Sequence, residues 1–421
     1  MYEKTTLKNG VRVVTGRMDH VRSATLILEL GVGSRHEPGK RAGISHFLEH
    51  MVFKGTERRP DPMMISQEIE GVGGILNAAT GRESTSYWAK VPSVHLARTF
   101  DVLADMLRQS VFEPTEVEKE RAVIIEEIRG ANDTPDDLIH DTIDEVVWED
   151  QSVGRPIAGT ETTVGSISRE DLLGYLADQY RADRLVVAAA GDVRHEEVVE
   201  LAERYFSDLP NGTLDTFVPT EIRQSEPRLK LIQRPTEQAH LCLGFPALPY
   251  SDDRRFTQDM IDAVLSSGMS SRLFQEIRER LGLVYSVYAY FREYADVGQG
   301  VVYAGTDPHR VERTIEAVVK ELDKLRQHPI PEEELARTKE LRKGRILMGL
   351  EDSRSVASWI GGQELMYGEI LTPEQVMARV DAVTREDVQE LAVELVRPEL
   401  MNLAIIGPYE DEERFRSLLR L

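Results

Sequence analysis

Cysteine is almost absent from this sequence of 421 residues, since Cys242 is the only one. No internal disulfide can form, and neither an oxidising compartment nor a zinc site made of thiolates is indicated. No apolar run approaches the roughly 20 residues that a membrane-spanning helix needs. The N-terminal residues lack the basic segment followed by an apolar one that is typical of a signal peptide. We therefore expect a cytoplasmic protein that has no membrane partner.

Basic residues are also scarce relative to acidic ones. Lysine and arginine number 51, aspartate and glutamate number 73, and the formal net charge is -22. This balance argues against a nucleic-acid partner, because the phosphates would be repelled. The acids either cover solvated helix faces or line a cavity that would favour basic or amphipathic ligands.

The order of apolar and polar residues predicts a mixed protein of more than one domain. Strands are expected at 25–30 and 185–190, and helices at 94–110, 115–132 and 310–327. A turn-rich, polar stretch predicts a linker at 213–226, between an N-terminal part, 1–212, and a C-terminal part, 227–421.

Both parts run strand, helix, hairpin and then a helix that begins near a proline, Pro114 or Pro331. We predict an α+β fold of two α/β repeats, each an antiparallel-rich sheet packed with helices. The second repeat is a degenerate copy, because it has no pair of histidines four residues apart. The alternative is that two unrelated α/β domains look alike.

The run His46-Phe47-Leu48-Glu49-His50 carries the clearest chemical signal. On a helix, residues at positions i, i+3 and i+4 share one face, so the two histidines and the glutamate point together. Two imidazoles at this spacing can bind one zinc ion, and a carboxylate between them can reach a water on the metal. The alternative is a helix with two histidines that are simply hydrogen-bonded.

A third ligand is expected from the helix predicted at 115–132, because a catalytic zinc ion needs three protein ligands and an open position. Glu120 and Glu127 lie within about 20° of each other around this helix and flank its apolar stripe. Glu126 projects to the opposite side. Geometry therefore favours Glu127 over Glu126 as a ligand, with Glu120 beside it, although salt bridges to arginine would also satisfy these acids.

Together these residues resemble the insulinase-type zinc peptidases, which include pitrilysin, insulin-degrading enzyme and mitochondrial processing peptidase. The inverted His-x-x-Glu-His motif is followed by 76 residues and then by Glu127. Residues 7–13 and 31–35 are similar to the family's opening and to the segment before its metal helix. Residues 47–56 fit its short-chain bacterial and organellar branch. The resemblance covers essentially the whole chain.

The resemblance implies a role for each of these side chains. His46, His50 and Glu127 would hold one Zn²⁺ per chain, and Glu49 would act as the general base. Glu120 would belong to the catalytic group by orienting a ligand or the helix. These roles agree with the chemistry, since zinc lowers the pKa of its water to about 7 and a nearby carboxylate can then take the proton.

The C-terminal part is expected to complete the site. In this family an arginine and a tyrosine from that part stabilise the oxyanion, and Arg278 and Tyr285 fit these positions. Phenol and guanidinium groups suit the task because both donate hydrogen bonds. Arg280 is close enough in sequence to be confused with Arg278. Tyr285 could alternatively be an ordinary aromatic residue of a strand.

A hairpin predicted at 73–88 is the candidate for substrate binding. Its first strand has small side chains, which let another backbone approach and pair as an added strand. In the family such an edge strand holds the substrate near zinc, so Asn77, Ala78 and Ala79 are the expected contacts. A hairpin that is merely tight is the alternative.

The resemblance also implies an assembly and a function. Long members of the family carry four such repeats and close as a clamshell, whereas this chain has two and would be half of one. A homodimer is therefore expected, or a heterodimer with a metal-free homologue. The implied function is that of a zinc endopeptidase that cleaves unfolded peptides, basic or presequence-like, in a chamber formed by two chains. The alternatives are a non-catalytic core subunit and a zinc hydrolase that acts on something other than peptides.

Overall fold

The computed structural model describes residues 2–212 and 217–419, and it forms two compact units. Unit 1 contains Met1–Arg129, Arg155–Val218 and Leu347–Thr372, and unit 2 contains Gly130–Gly154, Pro219–Ile346 and Pro373–Leu421. The boundary between residues 218 and 219 falls within the predicted linker, 213–226, of which 213–216 lie outside the described residues. The units differ from the predicted parts, 1–212 and 227–421, because each contains one segment from the other part of the chain.

The strands form one sheet in each unit. Unit 1 has β1 (Tyr2–Thr6), β2 (Arg12–Arg17), β3 (Ser23–Leu30), β4 (Ile75–Thr80), β5 (Thr85–Pro92) and β6 (Leu185–Gly191). Unit 2 has β7 (Arg228–Gln233), β8 (Ala239–Ala247), β9 (Val284–Glu293), β10 (Gly298–Thr306) and β11 (Asn402–Gly407).

The two sheets share one topology over five strands, and the first sheet has β1 in addition. The first has the order β1-β2-β6-β3-β5-β4 and the second the order β7-β11-β8-β10-β9. Within residues 2–212 and 217–419, each has a single parallel pair, β2 with β6 and β7 with β11, and its other neighbours are antiparallel. The predicted α+β fold, with two antiparallel-rich sheets packed with helices, is confirmed. That the second is a degenerate copy of the first stays a prediction.

Helices connect and cover the strands. In chain order they are α1 (Ile44–Met51), α2 (Pro62–Glu70), α3 (Leu96–Gln109), α4 (Pro114–Asp133), α5 (Pro135–Trp148), α6 (Glu161–Ser166), α7 (Arg169–Gln179), α8 (His195–Phe206), α9 (Arg255–Ser266), α10 (Val311–Gln327), α11 (Glu332–Gly349), α12 (Ser353–Tyr367), α13 (Pro373–Ala382), α14 (Arg385–Leu395) and α15 (Glu413–Arg416). Among the described residues, none of these helices is both long enough and apolar enough to cross a membrane.

The first sheet is buried on both faces. On one face, Leu26, Leu28 and Tyr87 join a core with side chains of α1 and α3. On the other face, Ile27 and Trp88 pack against α12. The alternation of side chains along β3 and β5 therefore supplies two cores, and the first of them holds α1 against the sheet.

Each unit has one helix from the other part of the chain. In unit 2, α5 packs on β7, β8 and β11, and its Ile143 and Trp148 are fully buried. In unit 1, α12 packs on β2, β3 and β6, which are the strands that correspond in the shared topology. Each sheet is thus covered, at corresponding strands, by a helix that comes from the other part of the chain.

Candidate metal centre

Helix α1 begins at a fixed point. Gly43 precedes it with a φ of 94°, and a Cβ at this position would lie 2.4 Å from the Ala158 carbonyl oxygen, so only glycine fits. The buried Glu37 carboxylate accepts hydrogen bonds from the backbone N–H groups of Gly43 and Ser45, both at 2.8 Å. Burial raises the pKa of Glu37 to about 7. These contacts set the position from which α1 presents its side chains.

The helix divides its residues between the core and one open face. Phe47 and Leu48 are fully buried in the core of unit 1. His46, Glu49 and His50 lie together on the other side and are half-buried. The imidazole rings of His46 and His50 are 4.6 Å apart between centroids. The predicted shared face of the motif is confirmed.

Glu127 of α4 lies opposite the two imidazoles. Its Oε2 atom is 3.9 Å from His46 Nε2 and 3.7 Å from His50 Nε2. The side chain is 48% exposed, whereas Glu126 points away and forms an ion pair with Arg129. The structure therefore brings Glu127, and not its neighbour, to the histidines.

These three side chains fit a zinc ion. One ligand atom from each lies within 4.8 Å of the others. Two imidazole nitrogens and a carboxylate oxygen form a usual set for catalytic zinc, and ligands at about 2.1 Å in a tetrahedron would lie about 3.4 Å apart. Burial and the neighbouring His50 lower the pKa of His46 to about 4, which favours the neutral imidazole that binds a metal.

Glu49 is held by the hairpin that the sequence singled out. The Thr80 hydroxyl donates a hydrogen bond to its Oε2 atom, and the Thr80 backbone also bonds to the carboxylate. Burial raises the pKa of Glu49, and the bonds from Thr80 oppose that rise. A partly desolvated carboxylate beside a metal site is suited to accept a proton.

Glu120 lies behind His50 and not beside the open face. Its side chain is buried, and its Oε2 atom is 3.0 Å from His50 Nδ1. The Lys54 ammonium is 2.7 Å from its other oxygen. This contact favours the tautomer of His50 that carries hydrogen on Nδ1 and leaves Nε2 to face Glu127. The contact accords with the expected orienting role.

Asn77, Ala78 and Ala79 lie on β4, at the edge of the first sheet and next to α1. The Ala78 N–H donates to the Asn77 side chain at 2.8 Å. In an antiparallel pair, alternate residues direct their backbone groups away from the partner strand. Ala78, and with it Leu76, therefore faces the open edge, where a further strand could pair.

Arg278 and Tyr285 are neighbours in unit 2. Arg278 belongs to a π-helical segment, Phe274–Arg280, and Tyr285 lies on the edge strand β9 and is 76% exposed. The Arg278 guanidinium lies 5.1 Å from the centre of the Tyr285 ring. Arg280 instead forms an ion pair with Glu276. The structure thus associates Arg278 with the tyrosine, and their catalytic role stays a prediction.

Sequence reasoning missed Glu37, Lys54 and Thr80. Thr80 contacts Glu49 of the motif, Lys54 contacts Glu120, and Glu37 contacts the backbone at the start of α1. No helical or strand periodicity connects the two members of any of these pairs. Thr80 immediately follows the three residues predicted to bind substrate, and Lys54 follows the motif by four residues. Their closeness in sequence to residues already identified was the signal that could have revealed Thr80 and Lys54.

Comparison with known families matches two successive parts of the chain, whose bounds differ from those of the two units. Residues 12–161 match the family described as Insulinase (Peptidase family M16), and residues 166–342 match the one described as Peptidase M16 inactive domain. The part of the chain covered by the second match has no two histidines that are four residues apart.

Individual proteins show the same likeness. An uncharacterized zinc protease of Streptomyces coelicolor is 38% identical over 98% of this chain and 91% of its own length. The crystal structure of a protease from Helicobacter pylori has a TM-score of 0.90 and 21% identity, and covers 97% of this chain and 99% of its own. A chain of complex III2 from Candida albicans has a TM-score of 0.85 and 20% identity, with full coverage of both. These two structures show a shared fold.

Proposed function

This chain belongs to the insulinase family, peptidase family M16, and from that premise we propose that it is a zinc-dependent endopeptidase. The observation that carries the proposal is the group formed by His46, His50 and Glu127, with Glu49 on the same helix face. These three residues would hold the ion. When bound, zinc would lower the pKa of a water and polarise a peptide carbonyl.

The chain's own residues would divide the remaining work. Glu49, held by Thr80, would accept a proton and return it to the leaving amine. The open edge of β4, the strand that carries Asn77, Ala78 and Ala79, would pair with an extended peptide. The backbone groups of Ala78 and of Leu76 would bond to that peptide. Arg278 and Tyr285 would donate hydrogen bonds to the oxyanion.

We further propose that substrates are unfolded peptides, because edge pairing requires an extended backbone. The net charge of -22 favours basic ones. Two chains would enclose the peptide, as a homodimer or with a metal-free homologue, and the compartment would be the cytoplasm. These points rest on the family resemblance and on composition.

One experiment tests the activity. The purified protein should cleave a quenched fluorescent basic peptide, lose that activity to a chelator, and regain it with zinc. Glu49→Gln should bind zinc with wild-type affinity yet cleave at least about 100-fold more slowly, because a general base contributes about 10²–10⁴-fold. Cleavage by Glu49→Gln at the wild-type rate would refute the mechanism.

A second experiment tests the assembly. Sedimentation velocity should show a dimer, and a strict monomer would exclude the two-chain chamber. Mixing Glu49→Gln with Tyr285→Phe, each inactive alone, should restore cleavage if the oxyanion donors act on the partner's site. No recovery in mixed dimers would place both groups on the same chain.

A non-catalytic assembly subunit is the competing function. It is favoured by the likeness to a chain of a complex III2 structure and by the match to the family described as inactive. Against it, this chain keeps the three candidate ligands and the adjacent glutamate. A zinc hydrolase of non-peptide substrates is disfavoured by the open strand edge beside α1. Failure to cleave any peptide while binding zinc would favour one of these alternatives.

A further inference from the structure

The turn after α1 carries a charged side chain that the proposed mechanism does not use. The Lys54 ammonium is 2.7 Å from Glu120 Oε1, and Glu120 Oε2 is 3.0 Å from His50 Nδ1. Each oxygen of this carboxylate therefore has one partner. Lysine, glutamate and histidine form a continuous chain of contacts that ends at a candidate metal ligand.

Burial makes this arrangement consequential. Only 6% of Glu120 is exposed, and a buried carboxylate is costly unless a cation or hydrogen-bond donors accompany it. Lys54 supplies the positive charge from a side chain that is 28% exposed. His50 can then act toward Glu120 as a hydrogen-bond donor, without having to supply the compensating charge itself.

The backbone around Lys54 is held in place. The next residue, Gly55, has a φ of 114°, and a Cβ there would lie 2.7 Å from the Pro60 carbonyl oxygen. Thr56 is fully buried and donates a hydrogen bond of 2.7 Å to Asp105 of α3. The lysine thus leaves a turn that cannot shift freely, which fixes the point from which its side chain reaches Glu120.

We propose that Lys54 is a positioning residue of the metal centre. By holding one oxygen of Glu120, it directs the other oxygen at His50 Nδ1 and so presents His50 Nε2 toward Glu127. Residues that orient a metal-binding histidine in this way usually change metal affinity 10–100-fold when they are removed. The inference rests on the proposed function only in that it takes this centre to be a metal site.

The test compares three variants with the wild-type protein. Lys54→Met keeps the length of the side chain and removes its charge, and Lys54→Arg keeps the charge. Lys324→Met is the matched control, because Lys324 also pairs with a buried carboxylate, that of Glu321 in unit 2. Zinc affinity is measured by competition with a chromogenic chelator. The tautomer of His50 is read in the metal-free proteins from imidazole ¹⁵N shifts, assigned with His50→Asn.

Lys54→Met should bind zinc about 10-fold more weakly than the wild type. It should also lose the predominance of the tautomer with hydrogen on Nδ1. Lys54→Arg should restore both properties, and Lys324→Met should leave both unchanged even if it lowers the melting temperature. Equal losses in Lys54→Met and Lys54→Arg, or zinc affinity and tautomer in Lys54→Met that match the wild type, would overturn the inference.

The outcomes for the proposed function are separate. A wild-type protein that binds zinc but cleaves no peptide would refute the peptidase proposal and leave the role of Lys54 supported by the affinity and the ¹⁵N shifts. A wild-type protein that binds no zinc would remove the metal centre from both proposals.

Discussion

Three carboxylates of α4 allow a graded test of the metal centre. Glu127 faces both imidazoles, Glu120 contacts one of them from behind, and Glu126 points away toward Arg129. Changing each to glutamine removes one negative charge from the same helix and leaves side-chain size nearly unchanged. Differences in zinc affinity among the three variants therefore report position, and not the net charge of the helix.

The geometry sets the expected order. Glu127→Gln should weaken zinc binding by more than about 100-fold, because it removes a direct ligand rather than an outer contact. Glu120→Gln should weaken it by about 10–100-fold, or about 1.4–2.8 kcal/mol, because the Nδ1 contact of His50 is weakened. Glu126→Gln should stay within about twofold of the wild type, since loss of an exposed ion pair has little effect.

The assay is competition with a chelator of known affinity, with metal content checked by atomic absorption and folding by circular dichroism. Far-ultraviolet spectra should be the same in all three variants. The reasoning is refuted if Glu126→Gln weakens zinc binding as much as Glu127→Gln does. It is equally refuted if Glu127→Gln retains zinc within about tenfold of the wild type.

Three further predictions concern the groups around the centre. Thr80→Val should lower kcat about 10-fold without changing zinc affinity, because it removes a hydrogen bond to a charged carboxylate. Thr80→Ser keeps the hydroxyl and should be close to wild type. An unchanged kcat in Thr80→Val would contradict the contact with Glu49. Ala78→Pro should raise KM with little change in melting temperature, because the Ala78 N–H faces the open edge. Ala79→Pro should instead lower the melting temperature. The reverse pattern would contradict the assigned edge. The pKa of Glu37 in the folded protein, about 7, lies above its ordinary value of 4.5, so folding favours the protonated carboxyl. The contribution of Glu37 to the free energy of unfolding is therefore full below pH 4.5 and is lost as pH rises through 7. The free energy of unfolding of the wild type, relative to Glu37→Gln, should accordingly fall between pH 5 and pH 8 in urea titrations, and a rise would contradict this sign.

Much of the local structure was predictable because it follows from periodicity. The helix predicted at 115–132 is observed as Pro114–Asp133, and the strand predicted at 185–190 as Leu185–Gly191. The choice of Glu127 over Glu126 also followed from the angle between successive helical residues. Such predictions use only neighbours along the chain, for which the covalent geometry fixes direction.

Contacts between distant segments were not predictable in this way. Thr80 and Glu49 are 31 residues apart, and nothing in the period of β4 reveals that its last residue meets α1. Likewise, nothing in the sequences of α5 and α12 shows which sheet each of these helices covers. Only the contact with the Tyr285 ring distinguishes Arg278 from Arg280, and the sequence alone does not show where that ring lies.

The exchange of α5 and α12 has a consequence for how the polypeptide is made. The sheet that α5 covers includes β7 and β11, so this helix leaves the ribosome about 80 residues before the first of these strands and over 250 before the second. Unit 1 likewise remains incomplete until α12 has been synthesised. Neither half is expected to fold when expressed alone, because Ile143 and Trp148, or Ile27 and Trp88, would be left uncovered. A chain cut within 217–226 after folding should nevertheless stay together, since each fragment keeps a helix packed in the other's sheet.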